Sequence, residues 1–381
     1  MTSPDIQKDI VSSCAKETLK EIIEDLNGHF FGILVDESKN VSHKEQMTLV
    51  LRYVNREGKL IERFLGLVHV KDISAKSLKE AINFLLLNHS LSRSQIRGQG
   101  YDKASNMQGE LNSLKTLILK DNSSTYYIHC FAHQLQLDLV AVAKKHDDVN
   151  NFFDILANVL NIIGGSFKRR EMLRDDQDEK LEELLVLSEV HMGSGLNREL
   201  GLQRPGVLIG DLNNRFSEVN TDLLLRMASL SPENCFVNYD KDKIMKLATY
   251  YPNEFSVSKL EDLSFDLDNY IYYVREVDNA FSNLKGLRDL SMKLVETNMY
   301  KTWGLIYLLV KLSLILPVAT ATVERAFSSM NFIKNNLRRR IGDDFLNGCL
   351  VCYIEDEVFD SVPNDAIINH FQNMTIRQMQ L

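Results

Sequence analysis

Phe30-Phe31-Gly32-Ile33-Leu34-Val35 runs without a charge and stops at Asp36. A short, bulky run of that kind predicts a central strand buried on both faces. Two further strand-like runs follow, Thr48 to Val54 and Leu60 to Val70. Between them Asn55-Arg56-Glu57-Gly58-Lys59 has the chemistry of a hairpin turn. Ser74 to Asn88 has helical spacing, with Leu78, Ile82, Leu85 and Leu86 on one side and Ser74 as a cap. Ile96 to Tyr101 is a short strand leading to Asp102, Ala104 to Lys120 is helical, Tyr126 to His129 is a brief strand, and Ala132 to Lys145 is helical. Three strands, a helix, then strands and helices in alternation suit a mixed sheet with helices on both faces.

From about Asn151 the period is that of helices. Asn151 to Ile163, Lys180 to Val190, Leu212 to Leu230, Lys241 to Tyr250, Leu260 to Val277 and Asn279 to Thr297 read as helices. So do Thr302 to Leu316, Ala321 to Asn335, Asp343 to Glu357 and Asp365 to Met374. The fold class is therefore α/β followed by all-α. A length of 381 residues suits two or three units. We divide it into 1–165, 166–300 and 301–381, with the Gly- and Pro-containing stretch from Gly193 to Gly210 as the clearest break.

Lys and Arg number 44 against 52 Asp and Glu, a net charge of −8, which argues against a dedicated nucleic-acid coat but not against a local basic groove. Five scattered cysteines, an odd count, argue against a secreted disulfide scaffold. The polar start, Met1 to Ile10, lacks the apolar stretch of a signal peptide. Leu305 to Val323 is the most apolar stretch, but Lys311 and Pro317 interrupt it. It reads as a core helix ending before a proline, and no membrane contact is expected.

Asp36 and Asp102 each end a strand, and carboxylates at adjacent strand ends can share a hard divalent cation such as Mg²⁺. Two such ions clamp the attacking and leaving oxygens in phosphoryl transfer. That chemistry needs a third carboxylate, for which Glu324 is the candidate. Taken singly, a strand-end Asp is more often a turn former or cap, and a helical Glu more often solvated or paired. His129-Cys130-Phe131-Ala132-His133 lacks a fourth zinc ligand at usable spacing, and Cys349 and Cys352 sit within an apolar helical pattern, so no zinc site is expected. Lys168-Arg169-Arg170 is offset by the acids that follow it. Lys334, Arg338, Arg339 and Arg340 have no acid among them and are the better phosphate contacts, or else a solvated helix end.

Taken together, several stretches resemble a hAT-superfamily transposase of the plant zinc-finger MYM-type or TTF-type form. They are Phe31-Gly32-Ile33-Leu34-Val35-Asp36-Glu37-Ser38, Gly98-Gln99-Gly100-Tyr101-Asp102 with Ala104-Ser105-Asn106-Met107, and His129 to Leu137. Gly164 to Arg170 and, above all, Leu316-Pro317-Val318-Ala319-Thr320-Ala321-Thr322-Val323-Glu324-Arg325-Ala326-Phe327-Ser328 complete the set. The resemblance implies a ribonuclease H-like core, Asp36, Asp102 and Glu324 as an ancestral catalytic triad holding Mg or Mn, a C-terminal dimerisation region and a nuclear location. Phe327, Phe345, Leu346, Leu350, Val351 and Ile354 are the expected dimerisation residues, on the apolar faces of the last helices.

Departures accompany the likeness. The family begins with a zinc finger, whereas this sequence starts almost at the strand that ends in Asp36. After Leu202-Gln203-Arg204-Pro205-Gly206 most of the family's helical insertion, with its base-handling tryptophan, is missing; Trp303 lies in a different helix. Lys103 stands where the family has glycine. The expectation is a truncated, catalytically impaired, transposase-derived protein that forms homo-oligomers and contacts DNA weakly, with metal-dependent DNA strand transfer as the alternative.

Overall fold

The computed structural model describes residues 3–39, 44–101, 113–129, 140, 147–164, 218–317, 321–334 and 341–374. Two compact units emerge, Met1–Phe131 with Phe216–Leu381, and Ala132–Arg215. Within the second, the helix Asp147–Gly164 leaves Phe152, Phe153, Ile155, Leu160 and Ile162 exposed.

The first unit opens with α1 (Pro4–Leu26). Ser3 accepts the Asp5 N–H, Pro4 occupies the first turn, and Asn27 (φ +50°) with Gly28 (φ +71°) ends the helix in left-handed backbone. No helix is expected there from the sequence, because the polar start masks a short buried stripe of Ala15, Leu19, Ile22 and Leu26. Next come β1 (Phe31–Lys39), β2 (Glu45–Val54), β3 (Leu60–His69), α2 (Ala75–Asn88), β4 (Ile96–Tyr101), α3 (Leu114–Asp121) and β5 (Tyr126–His129). The five strands make one mixed sheet in the order β3-β2-β1-β4-β5, with β1 antiparallel to β2 and parallel to β4. Phe31, Ile33, Leu34 and Val35 are all buried, as expected for a strand covered on both faces.

Helices follow as expected: α4 (Glu218–Ala228), α5 (Lys241–Thr249), α6 (Val257–Tyr272), α7 (Leu287–Glu296), α8 (Gly304–Leu314), α9 (Ala321–Ile333), α10 (Asp343–Ile354), α11 (Asp356–Ser361) and α12 (Asn364–Asn373). Two expected helices are broken. Asn279 to Thr297 divides into a short 3₁₀ turn, Asn279–Phe281, and α7, with Gly286 at the start of the latter. Asp343 to Glu357 divides into α10 and α11 at Glu355, whose backbone leaves the helical region. The apolar α8 is a buried core helix that ends before Pro317, as its sequence indicates. Expected elements at 104–112, 132–139 and 180–190 lie outside the described residues.

The last helices close the sheet. α10 packs on α1, α9 and β3. At the outer strand β3, Asn347 accepts the Leu67 N–H (2.8 Å), and Glu355 accepts the Phe64 N–H and a hydrogen bond from Arg63 (3.0 Å). An edge strand's unpaired amides are thereby capped by side chains from far along the chain. Burial holds the Glu355 carboxyl above the ordinary carboxylate range, opposed by the Phe64 amide and Arg63. A carboxyl raised on folding binds more protons in the native state, so its contribution is largest at low pH and is lost as pH rises through the raised value. Urea unfolding between about pH 4 and 7 should show wild-type stability falling with pH relative to Glu355→Gln. Parallel curves for the two proteins would remove Glu355 from the account.

Candidate functional site

Side chains alternate across a strand, so Gly32, Leu34 and Asp36 share one face of β1. Gly32 pairs with Arg52 and Arg52 with Glu62, which puts Arg52 of β2 and Glu62 of β3 on that same face. The chain just after α8 lies directly upon it. A β-carbon at Gly98 would come 2.9 Å from Ile315 O, one at Gly100 2.7 Å from Pro317 Cγ, and one at Gly32 would overlap Ile315 O. These three glycines are needed for close backbone approach rather than for unusual dihedrals.

Arg52 fixes the seating. Its Nε donates to Leu314 O (2.9 Å) and its Nη1 to Glu62, while Glu62 also accepts the Thr322 hydroxyl. Burial lowers the Arg52 pKa, and Glu62 counters it. The end of α8 and the start of α9 are thus tied to β2 and β3, and α9 packs across β1, β2 and β3.

Asp36 sits toward the end of β1, opposite Thr48, and is 7 % exposed; its Oδ1 accepts the Glu37 N–H at 3.0 Å. Glu324 is exposed on the first turn of α9. Two of the three expected carboxylates therefore reside on elements in direct contact. Leu34 pairs with Gly100, each two residues short of an expected aspartate, but Asp102 lies outside the described residues. Among the described residues no three His, Cys, Asp or Glu side chains gather as a metal set. Asp36, Asp102 and Glu324 offer oxygen donors alone, which suit a hard cation such as Mg²⁺ or Mn²⁺.

Other expected residues find different places. His129 ends β5, and Cys130 and His133 lie outside the described residues. Cys349 and Cys352 are half-buried on α10, and burial, with Cys14 and Cys349 nearby, pushes the Cys352 thiol up to about 12. Trp303 is internal, edge-on to Tyr270 (5.2 Å) and Tyr273 (5.0 Å). Of the expected dimerisation residues, Phe327, Leu346, Leu350 and Val351 are buried in this chain's own core, Ile354 packs against that core, and Phe345 is half-buried. The reason is α1, which covers a side of α10 that the sequence leaves uncovered. What remains outside is Phe332 (70 % exposed) on α9, stacked on Tyr353 (52 %) of α10 with ring centroids 5.8 Å apart.

Lys334 departs furthest from expectation. It is 1 % exposed, its ammonium 3.8 Å from Asp343, which also accepts from Lys44 at 3.2 Å. It is a structural cation facing inward, and Arg338, Arg339 and Arg340 lie outside the described residues. Replacing it with Met should cost about 1–3 kcal/mol in urea unfolding, because Asp343 loses a buried counter-charge. Fluorescence anisotropy with labelled DNA should show no change; a large loss of DNA affinity without loss of stability would return Lys334 to the surface role.

Residues 1–113 match the family model described as DUF4371: ZMYM1/FAM200, RNase-like domain. The match spans α1 to β4 and so includes Asp36 and Asp102, while Glu324 lies beyond it. An RNase-like domain of this kind occurs in transposase-derived families.

Proposed function

We propose that this chain is a transposase-derived protein of hAT type in which the ribonuclease H-like sheet persists as a scaffold, catalysis is impaired, and self-association through the C-terminal helices is the retained activity. The exposed Phe332–Tyr353 stack carries the reading, since it lies in the stretch that resembles a dimerisation region. Large aromatic surfaces left in water are characteristic of interfaces, where each anchor contributes through burial and offset ring packing. A nuclear location and weak DNA contact belong to the same proposal, by resemblance. The chain's loss of most of the family insertion, with its tryptophan, removes the stacking support for an extruded base.

A second reading, metal-dependent DNA strand transfer, is favoured by one observation: β1 and α9, which carry Asp36 and Glu324, pack on each other. Asp36, Glu324 and Asp102 would then hold Mg²⁺ or Mn²⁺, which supplies charge stabilisation for in-line displacement at phosphorus.

Sedimentation equilibrium at tens of micromolar should show a dimer for the wild type and a folded monomer for Tyr353→Asp or Phe332→Asp. Val351→Glu should instead unfold the chain, because Val351 is core. A wild type that stays monomeric sinks the association reading. Purified protein should leave terminal-repeat DNA uncut in Mn²⁺ or Mg²⁺; cleavage that disappears in Asp36→Asn establishes the second reading instead.

A further inference from the structure

Gln46, Thr48, Val50 and Arg52 of β2 share the sheet face that carries Asp36. Thr48 stands directly opposite Asp36, and Gln46 opposite Ser38. Opposed β-carbons in an antiparallel pair lie about 4.5–5.5 Å apart, and diagonal neighbours such as Asp36 and Gln46 about 7–8 Å apart. α9 is tied to the same face where Thr322 meets Glu62. It packs across β1 and β2 and carries Glu324 on its first turn.

The polar members of this row differ in how they are satisfied. Arg52 has Leu314 O and Glu62 as partners. Gln46 and Thr48 are both 0 % exposed, yet neither amide atom of Gln46 nor the Thr48 hydroxyl has a hydrogen-bond partner. Such orphans, side by side on one strand, cost stability that apolar side chains of the same shape would recover. They adjoin a carboxylate that solvent still reaches, since Asp36 keeps 7 % exposure.

Their chemistry suits that neighbour. A hard cation such as Mg²⁺ keeps several waters and takes only one or two carboxylates, so its site needs groups that orient both. The Thr48 hydroxyl and the Gln46 NH₂ are donors for a carboxylate, and Gln46 Oε1 is an acceptor for a bound water. At these cross-strand spacings side-chain rotation alone brings either residue to Asp36. Hydrogen bonds of this kind often tighten only in the bound state.

We propose that Gln46 and Thr48 are positioning residues of the Asp36 site, holding the Asp36 carboxylate and a water of the divalent cation that it binds. The proposal rests on the reading of Asp36 as a cation ligand, and it stands whether or not strand transfer survives.

Mn²⁺ would be titrated into the full chain, with the free ion followed by electron paramagnetic resonance, and thermal unfolding recorded in EDTA and in Mn²⁺. The wild type should bind Mn²⁺ and unfold at a higher temperature in its presence, and Asp36→Asn should lose both effects. Gln46→Met and Thr48→Val should each weaken Mn²⁺ binding by about tenfold, the scale for removing a group that holds a metal's ligand. In EDTA both should unfold at or above the wild-type temperature, because each removes an orphaned polar group. Thr48→Ser, which keeps the hydroxyl, should restore the affinity. Should Gln46→Met fail to fold, the comparison of Thr48→Val with Thr48→Ser decides. Wild-type Mn²⁺ affinity in Gln46→Met and Thr48→Val overturns the proposal while leaving Asp36 a ligand. A wild type that binds no Mn²⁺ overturns the Asp36 reading, and this proposal with it.

Discussion

The carboxylate-bearing face of the sheet depends on how Leu314 to Pro317 sit on a floor without side chains. Gly32, Gly98 and Gly100 let the Ile315 backbone and the Pro317 ring approach closer than any β-carbon would permit. Arg52 locks that contact from below through Leu314 O and hands its charge to Glu62, which in turn holds Thr322. A buried guanidinium is tolerable because its carboxylate and carbonyl partners are both present; removing either would strand it. The position of α9, and with it Glu324, follows from this chain of contacts rather than from helix propensity.

The same arrangement explains why the RNase-like match and the physical domain have different extents. The matched residues 1–113 include four of the five strands, but the cover of their outer edge comes from Asn347 and Glu355, and much of their core from α9 and α10. The outermost amides of the sheet are thus capped from almost three hundred residues away. A second long-range tie works on the other side of β1. Arg97 of β4 pairs with Glu254, both buried, and lies 4.1 Å from the centroid of Phe30, while Tyr126 of β5 donates to Tyr250 O. Both segments that flank the unit Ala132–Arg215 in sequence thereby belong to one core.

Much of the fold was legible because its signals are local. The run before Asp36, the Asn55–Lys59 turn and the α8 stripe are each complete within a dozen residues. What escaped notice was tertiary in origin. α1 carries a buried stripe diluted by Asp5, Lys8 and Asp9, and its consequence for α10 was hidden with it. Val351 and Leu350 look like an interface in isolation, and only the packing of α1 reveals them as core. Lys334 likewise reads as basic surface until Asp343, nine residues on, is seen to face it. Glu324, by contrast, is a candidate both from the need for a third carboxylate and from the resemblance, and α9, which carries it, packs on the strand that carries Asp36.

Net charge conceals a local contrast. The chain carries −8 overall, yet the start of β1 gathers His29, Arg56 and Lys311, while its far end carries Asp36 and Glu37. Phe31 and Asp36 on the strand are separated by about 17 Å, roughly two Debye lengths at physiological ionic strength, and His29 lies beyond Phe31. Through solvent the two ends scarcely influence one another. Overall acidity therefore argues against a broad polyanion-binding coat without fixing the sign of the field at either end of the strand.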